Sequence, residues 1–75
     1  MSNGILVANG KAKTLNKVVE WLEGAKFRVN YATHNKDGTR SVFFKEEISP
    51  TEFERVCAVI TQHNPRISVA RIIRR

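Results

Sequence analysis

The side chains most often used in catalysis are few in this chain and are not grouped. His34 precedes a turn and His63 ends a helical pattern, and nothing in the sequence places an acid or a nucleophile beside either of them. Cys57 is the only cysteine, so an internal disulfide and a multi-thiolate metal site are excluded. Its helical spacing predicts core packing. We therefore expect no catalytic residues, no metal site and no cofactor.

Basic side chains are the more informative chemical group. The chain has 13 Lys and Arg against 7 Asp and Glu, which gives a formal net charge of +6. An excess of this size attracts polyanions, although it also fits a charged surface that serves only solubility. Every charged residue after Glu54 is an arginine, and the last three of them are Arg71, Arg74 and Arg75. Guanidinium groups are suited to bidentate contacts with phosphate. Alternatively, these arginines form a solvated strand end whose charges discourage edge-to-edge aggregation.

The first third of the chain predicts a strand followed by a helix. The apolar residues 4–8 end at the turn dipeptide Asn9-Gly10, which is typical of a buried strand. Thr14 is the expected N-cap of a helix whose apolar positions lie between Leu15 and Leu22. Gly24 is placed to end this helix.

The middle of the chain predicts a β-hairpin. Apolar and polar residues alternate from Phe27 to Ala32, and a second strand pattern runs from Arg40 to Lys45. The intervening Asp37-Gly38 pair supplies the positive φ that a tight turn requires.

The last third predicts a second helix and a final strand. Ser49, Pro50 and Glu52 have the spacing of a capping box with proline at the first helical position, and the helix continues to about His63. Asn64-Pro65 ends it, and residues 67–70 return to a β pattern.

These elements follow the order β-α-β-β-α-β in a single domain of residues 1–75. This order predicts an α+β, ferredoxin-like fold: a four-stranded antiparallel sheet with two helices on one face. In the alternative, residues 1–12 are disordered and the sheet has three strands.

Strict alternation predicts which side chains face away from the helices. Phe27, Val29 and Tyr31 are expected on the helix side. The opposite, open face is expected to present Leu6, Ala8, Arg28, Asn30, Ser41, Phe43, Lys45, Ser68 and Ala70. Such a surface allows bases to stack while phosphates are neutralised. It also fits an ordinary solvated sheet face, or a homodimer interface through Phe43 and Leu6.

In its strand order, the chain resembles the RNA recognition motif. Residues 5–10 occupy the place of that family's first-strand motif, and residues 40–45 occupy the place of its third-strand motif. Leu6 stands where the family usually has an aromatic residue, and the third-strand pattern of glycine and paired aromatics is absent. The likeness is one of architecture. It implies single-stranded RNA as a ligand and carries over only Phe43 as a stacking residue.

Together these features predict a small, non-enzymatic, cytoplasmic protein without a membrane segment. Our first hypothesis is a nucleic-acid-binding or regulatory module for RNA or DNA. Its expected binding residues are Arg28, Phe43, Lys45, Arg71, Arg74 and Arg75. The alternative is a regulator or inhibitor that docks on a larger acidic protein. In one version of this alternative, the chain acts as a homodimer. For Trp21 the sequence leaves open a place at the core edge or a role as a protein-binding anchor.

Overall fold

The computed structural model describes residues 3–72, which fold as one four-stranded sheet and two helices. The elements are β1 (Gly4–Ala8), α1 (Ala12–Gly24), β2 (Val29–His34), β3 (Arg40–Phe44), α2 (Pro50–His63) and β4 (Ser68–Ile72). The strands lie in the order β2-β3-β1-β4, and every neighbouring pair is antiparallel. This confirms the ferredoxin-like α+β fold.

Strand β1 lies inside the sheet, so the three-stranded alternative is wrong. Ile5 is paired with Val42 of β3 on one side and with Arg71 of β4 on the other. Ile5 and Val7 are completely buried. Burial of side chains of this size contributes roughly 1.5–3 kcal/mol each, which offsets the entropy lost when the segment is ordered.

The core lies between the sheet and the two helices. Each element contributes its apolar face to one cluster, as its sequence period predicts. The buried members are Ile5, Val7, Leu15, Val18, Leu22, Phe27, Val42, Phe44, Ile48, Val56, Ile60 and Ile67. Within residues 3–72, no helix is long and apolar enough to cross a bilayer.

Helix α2 begins and ends as the sequence predicts. Ser49 Oγ accepts a hydrogen bond from the Glu52 N–H at 3.1 Å, and the Ser49 N–H donates to Glu52 Oε1 at 3.0 Å. Pro50 occupies the first helical position, and Asn64 is the C-cap. The capping box therefore satisfies backbone donors that the first helical turn leaves unpaired.

Helix α1 begins earlier than predicted, and Thr14 is not its N-cap. The helix starts at Ala12, and Lys11 occupies the N-cap position without a side-chain hydrogen bond. A Cβ on Gly10 would lie 3.1 Å from Leu15 and 3.2 Å from Ile67. Packing of the β1–α1 connection against the core therefore sets this boundary, rather than a capping side chain.

The C-terminal end of α1 is a Schellman motif in which a lysine takes the left-handed conformation. The helix ends at Gly24 as predicted, but the residue with positive φ is Lys26, at φ 70°. The Lys26 N–H donates to Glu23 O, and the Phe27 N–H donates to Leu22 O, both at 3.0 Å. This motif turns the chain toward β2.

Replacing Lys26 with glycine should stabilise the fold, because a left-handed conformation strains any residue with a Cβ. We expect K26G to be more stable than K26A by about 1 kcal/mol in urea unfolding. K26A is the matched control, since it removes the same charge but keeps the strained Cβ. Equal stability of the two variants would contradict this reading of the turn.

The capping box should make stability depend on pH in the acidic range. Hydrogen bonds from Ser49 lower the pKa of the Glu52 carboxyl below its ordinary value of 4.5. A carboxyl with a depressed folded-state pKa stabilises the fold above its unfolded pKa, and this contribution is lost as the pH falls through the folded value.

The advantage of the wild type over E52Q should therefore be constant near neutral pH and decrease below about pH 4.5. Urea unfolding at a series of pH values measures it. E54Q removes the same charge from the same helix and controls for net charge. An advantage that stays constant into strong acid would contradict the assignment.

Candidate nucleic-acid interface

An extra residue in β2 determines which side chains reach the open face. Val29 is paired with Phe44, but the next pair is Tyr31 with Phe43, so Asn30 is a bulge. The bulge reverses the alternation, which places Tyr31 on the open face with Phe43 and Ala32 on the core side with Val42. The predicted orientation of Tyr31, toward the helices, is therefore wrong.

Tyr31 and Phe43 form a stacked aromatic pair across β2 and β3. Their ring centroids are 4.8 Å apart, and the ring planes differ by 25°. Tyr31 is 46% exposed, whereas Phe43 is half-buried. Tyr31 is the site residue that the sequence analysis missed. Its hydroxyl was the available signal, because a tyrosine facing an apolar core needs a hydrogen-bond partner there.

A glycine in β1 makes room for the Phe43 ring. Gly4 is paired with Phe43, and a Cβ on Gly4 would lie 2.8 Å from Phe43 Cδ1 and 3.3 Å from Val42 O. The ring therefore rests on the β1 backbone. This contact fixes one member of the aromatic pair.

Two predicted binding residues, Arg28 and Lys45, are paired with each other just beyond the ends of β2 and β3. The Lys45 N–H donates to Arg28 O at 3.0 Å, which continues the β2–β3 pairing, and Lys45 follows Phe43 by two residues. Arg28 Nη1 is 3.8 Å from Glu46 Oε1, and both side chains are 76% exposed. A pair this exposed contributes little and leaves the guanidinium available to another anion.

Arg71 lies on the other side of the sheet. It is paired with the core residue Ile5, and its Nη2 donates to Ile48 O at 2.8 Å. Its guanidinium carbon also lies 5.7 Å from the centroid of the Phe53 ring. The predicted grouping of Arg71 with the open face is not seen. Arg74 and Arg75 lie outside the described residues.

The centre of the open face carries no charge. Leu6 is paired with Ser41 and with Ala70, and Ala8 is paired with Ser68, so all five lie on this face as predicted. Ser41 is 7% exposed, and its Oγ accepts a hydrogen bond from Asn35 Nδ2 at 3.0 Å. The face is therefore uncharged at its centre and carries charges of both signs at its margin near Arg28, Lys45 and Glu46.

The titratable side chains do not form a reactive group. Within residues 3–72, no cluster of His, Cys, Asp and Glu could hold a metal ion. Cys57 is half-buried, and burial followed by the charge of Glu54 raises the pKa of its thiol. His63 is exposed and stacks on the half-buried Trp21, with ring centroids 4.4 Å apart and planes within 2°. Trp21 is packed at the edge of the core.

Adding a methyl group at Gly4 should disturb the aromatic pair. Because the Cβ would lie within 3 Å of the Phe43 ring, we expect G4A to cost about 1 kcal/mol or more and to shift the Tyr31 and Phe43 ring resonances. Urea unfolding and NMR of the aromatic region measure these effects. G24A is the control, since nothing lies within 4 Å of a Cβ there. Unchanged ring resonances in G4A would contradict the contact.

Comparisons with known proteins identify no relative of this chain. No family model matches the chain, and neither the curated proteins nor the solved structures contain a match to it. The function is therefore argued from the residues themselves.

Proposed function

We propose that this chain is a non-catalytic module that binds single-stranded nucleic acid on the open face of its sheet. The observation that carries the proposal is the Tyr31–Phe43 pair, with its rings 4.8 Å apart on the face that the helices leave uncovered. Arg28 and Lys45 are paired with each other just beyond the ends of the two strands that carry these rings. In addition, the net charge of +6 attracts a polyanion through the field of the whole molecule.

Each part of this surface matches one part of a nucleotide. Aromatic rings provide a platform on which bases stack, and each stacked base contributes about 1–3 kcal/mol. The neighbouring cations neutralise phosphates and release condensed counterions. Exposed bases are required for stacking, so the arrangement favours a single strand over a duplex.

The resemblance to the RNA recognition motif supports the open face as the binding surface, although the aromatic residues are distributed differently among the strands. That family stacks bases on aromatic residues of its first and third strands. Here β3 supplies Phe43, but the second ring comes from β2 through Tyr31, and β1 has Leu6 instead. RNA and DNA both have the bases and phosphates that this surface would contact. The cytoplasmic location expected from the sequence is part of the same proposal.

A protein partner is the second candidate. Leu6, Phe43 and Ile72 are half-buried on the open face, and an apolar patch with a charged margin is also typical of protein interfaces. A second copy of the chain or an acidic protein would fit it. Under this alternative the same residues would determine oligomeric state or partner binding instead of nucleic-acid affinity.

Removing the exposed ring should weaken nucleic-acid binding without changing charge. We expect Y31A to reduce the affinity for a labelled 12-nucleotide oligo(dT) or oligo(U) about tenfold, and Y31F to bind like the wild type, because only the ring is required. Fluorescence anisotropy at low salt measures both. Wild-type affinity should also fall steeply as salt is added.

Two results would contradict the proposal. One is a wild-type protein that binds neither oligonucleotide at low salt. The other is a Y31A variant that binds both as tightly as the wild type. If Y31A instead converts a dimer to a monomer in analytical ultracentrifugation, the interface function is favoured.

A further inference from the structure

The antiparallel pairing brings three connections to one end of the sheet. Val7 near the end of β1 is paired with Arg40 at the start of β3, and Ala8 is paired with Ser68 at the start of β4. His34, the last residue of β2, is also paired with Arg40. We call this the hairpin end; it comprises residues 9–18, 34–40 and 64–68.

The excess of positive charge is distributed unevenly between the two ends of the molecule. The hairpin end contains the cations Lys11, Lys13, Lys17, Lys36, Arg40 and Arg66. Its only acid is Asp37, whose Oδ1 already accepts hydrogen bonds from the N–H and the hydroxyl of Thr39. Every glutamate lies elsewhere, in the second half of α1, after β3 or in the first half of α2. The net charge is therefore concentrated at the hairpin end.

Arg40 is a half-buried cation at the hairpin end that has only neutral partners. Its Nη1 donates to Asn16 Oδ1 at 2.6 Å and also contacts the ring nitrogens of His34. Its Nε is buried without a hydrogen-bond partner. Within residues 3–72, the recorded ion pair joins Arg28 and Glu46, and no carboxylate pairs with Arg40. A partly desolvated guanidinium that has no carboxylate partner strongly favours the binding of an external anion.

Asn16 places this guanidinium among exposed lysines of α1. Lys13 is one helical turn before Asn16, Lys17 directly follows it, and both lysines are exposed. Residues three and four apart lie on one helix face, so Lys13 shares a face with Asn16 and with Lys17. Residues 9–18 contain no acid, so the Arg40 guanidinium, which is held by Asn16, belongs to the same acid-free part of the surface as these two lysines.

We propose that Lys13, Lys17 and Arg40 form a second contact for the nucleic acid, one that binds phosphates of its backbone. This inference rests on the proposed function, since the same strand would occupy the open face. Arg40 lies on the helix side of the hairpin, and its pair partner His34 is three residues from Tyr31. At the rise of a β-strand the backbone positions of Tyr31 and His34 are about 10 Å apart along β2, so a strand stacked on Tyr31 would reach these cations by passing around the hairpin edge from the open face.

The decisive variant is K13Q/K17Q, which removes two exposed charges and leaves Arg40 and its hydrogen bonds in place. The matched control is K26Q/R55Q, which removes two charges from the opposite end. Circular dichroism and urea unfolding establish that each variant folds. Binding of labelled 12-nucleotide oligo(dT) and oligo(U) is then followed by anisotropy over a series of salt concentrations.

We expect K13Q/K17Q to bind both oligonucleotides roughly tenfold more weakly at low salt. The slope of log K against log salt should decrease in magnitude by about 1.4, because each phosphate contact of a single strand contributes about 0.7. K26Q/R55Q should change affinity by less than about twofold, since neither side chain belongs to the proposed phosphate contact or to the aromatic pair.

The outcomes separate the two proposals. If K13Q/K17Q loses no more affinity than the control while Y31A is weakened, the phosphate contact is overturned and the open-face function stands. If Y31A binds normally and K13Q/K17Q does not, the open-face function fails and the phosphate contact stands. A wild type that binds no oligonucleotide overturns both.

A further arm uses inorganic pyrophosphate to distinguish a backbone contact from a site for a free small phosphate. NMR titration with pyrophosphate should shift the amide resonances of residues 13–17 and 40 in the wild type and not in K13Q/K17Q, and pyrophosphate should compete with the oligonucleotide. Pyrophosphate binding that leaves oligonucleotide affinity unchanged would overturn the backbone assignment.

Discussion

The single extra residue in β2, Asn30, determines the character of the open face. Val29 before the bulge and Ala32 after it both face the core. The two residues between them, Asn30 and Tyr31, therefore both lie on the open side. With strict alternation the space beside Val42 would have to hold a tyrosine. The bulge instead places a small residue under the helices and an aromatic one outside, opposite Phe43. The pair therefore depends on a backbone irregularity rather than on a motif.

The separation of charge follows from the connectivity. In an antiparallel sheet of this order, the end of β1, the end of β2 and the starts of β3 and β4 all lie together. Residues distant in sequence are thus brought to one end, which is why a chain with mixed charges along its length folds into a molecule whose net positive charge is concentrated at that end. Arg40 shows the consequence, since the side chains nearest to it are the neutral Asn16 and His34.

The elements that the sequence predicts well are those governed by local chemistry. The capping box of Ser49 and Glu52 and the Asp37-Gly38 turn, with Gly38 at φ 87°, depend on neighbouring residues. The features that escape prediction are set by tertiary packing. The bulge at Asn30 has no glycine to signal it, Lys26 takes a conformation that glycine prefers, and α1 starts at Ala12 without a capping side chain. Arg71 is a further feature set by tertiary packing. Only the strand register shows that its side chain contacts Ile48 and Phe53.

Stability and the proposed binding are carried by different faces of the molecule. The buried cluster lies entirely between helices and sheet, and it includes neither Tyr31 nor Phe43. Substitutions on the open face consequently change the ligand surface while leaving the core intact, and Gly4 is the position that links the two, because Phe43 rests on it. In a chain of 75 residues there is little core to lose. A function that uses the uncovered side of the sheet and the charged end of the strands takes no side chain from this apolar cluster, so it is compatible with so small a core.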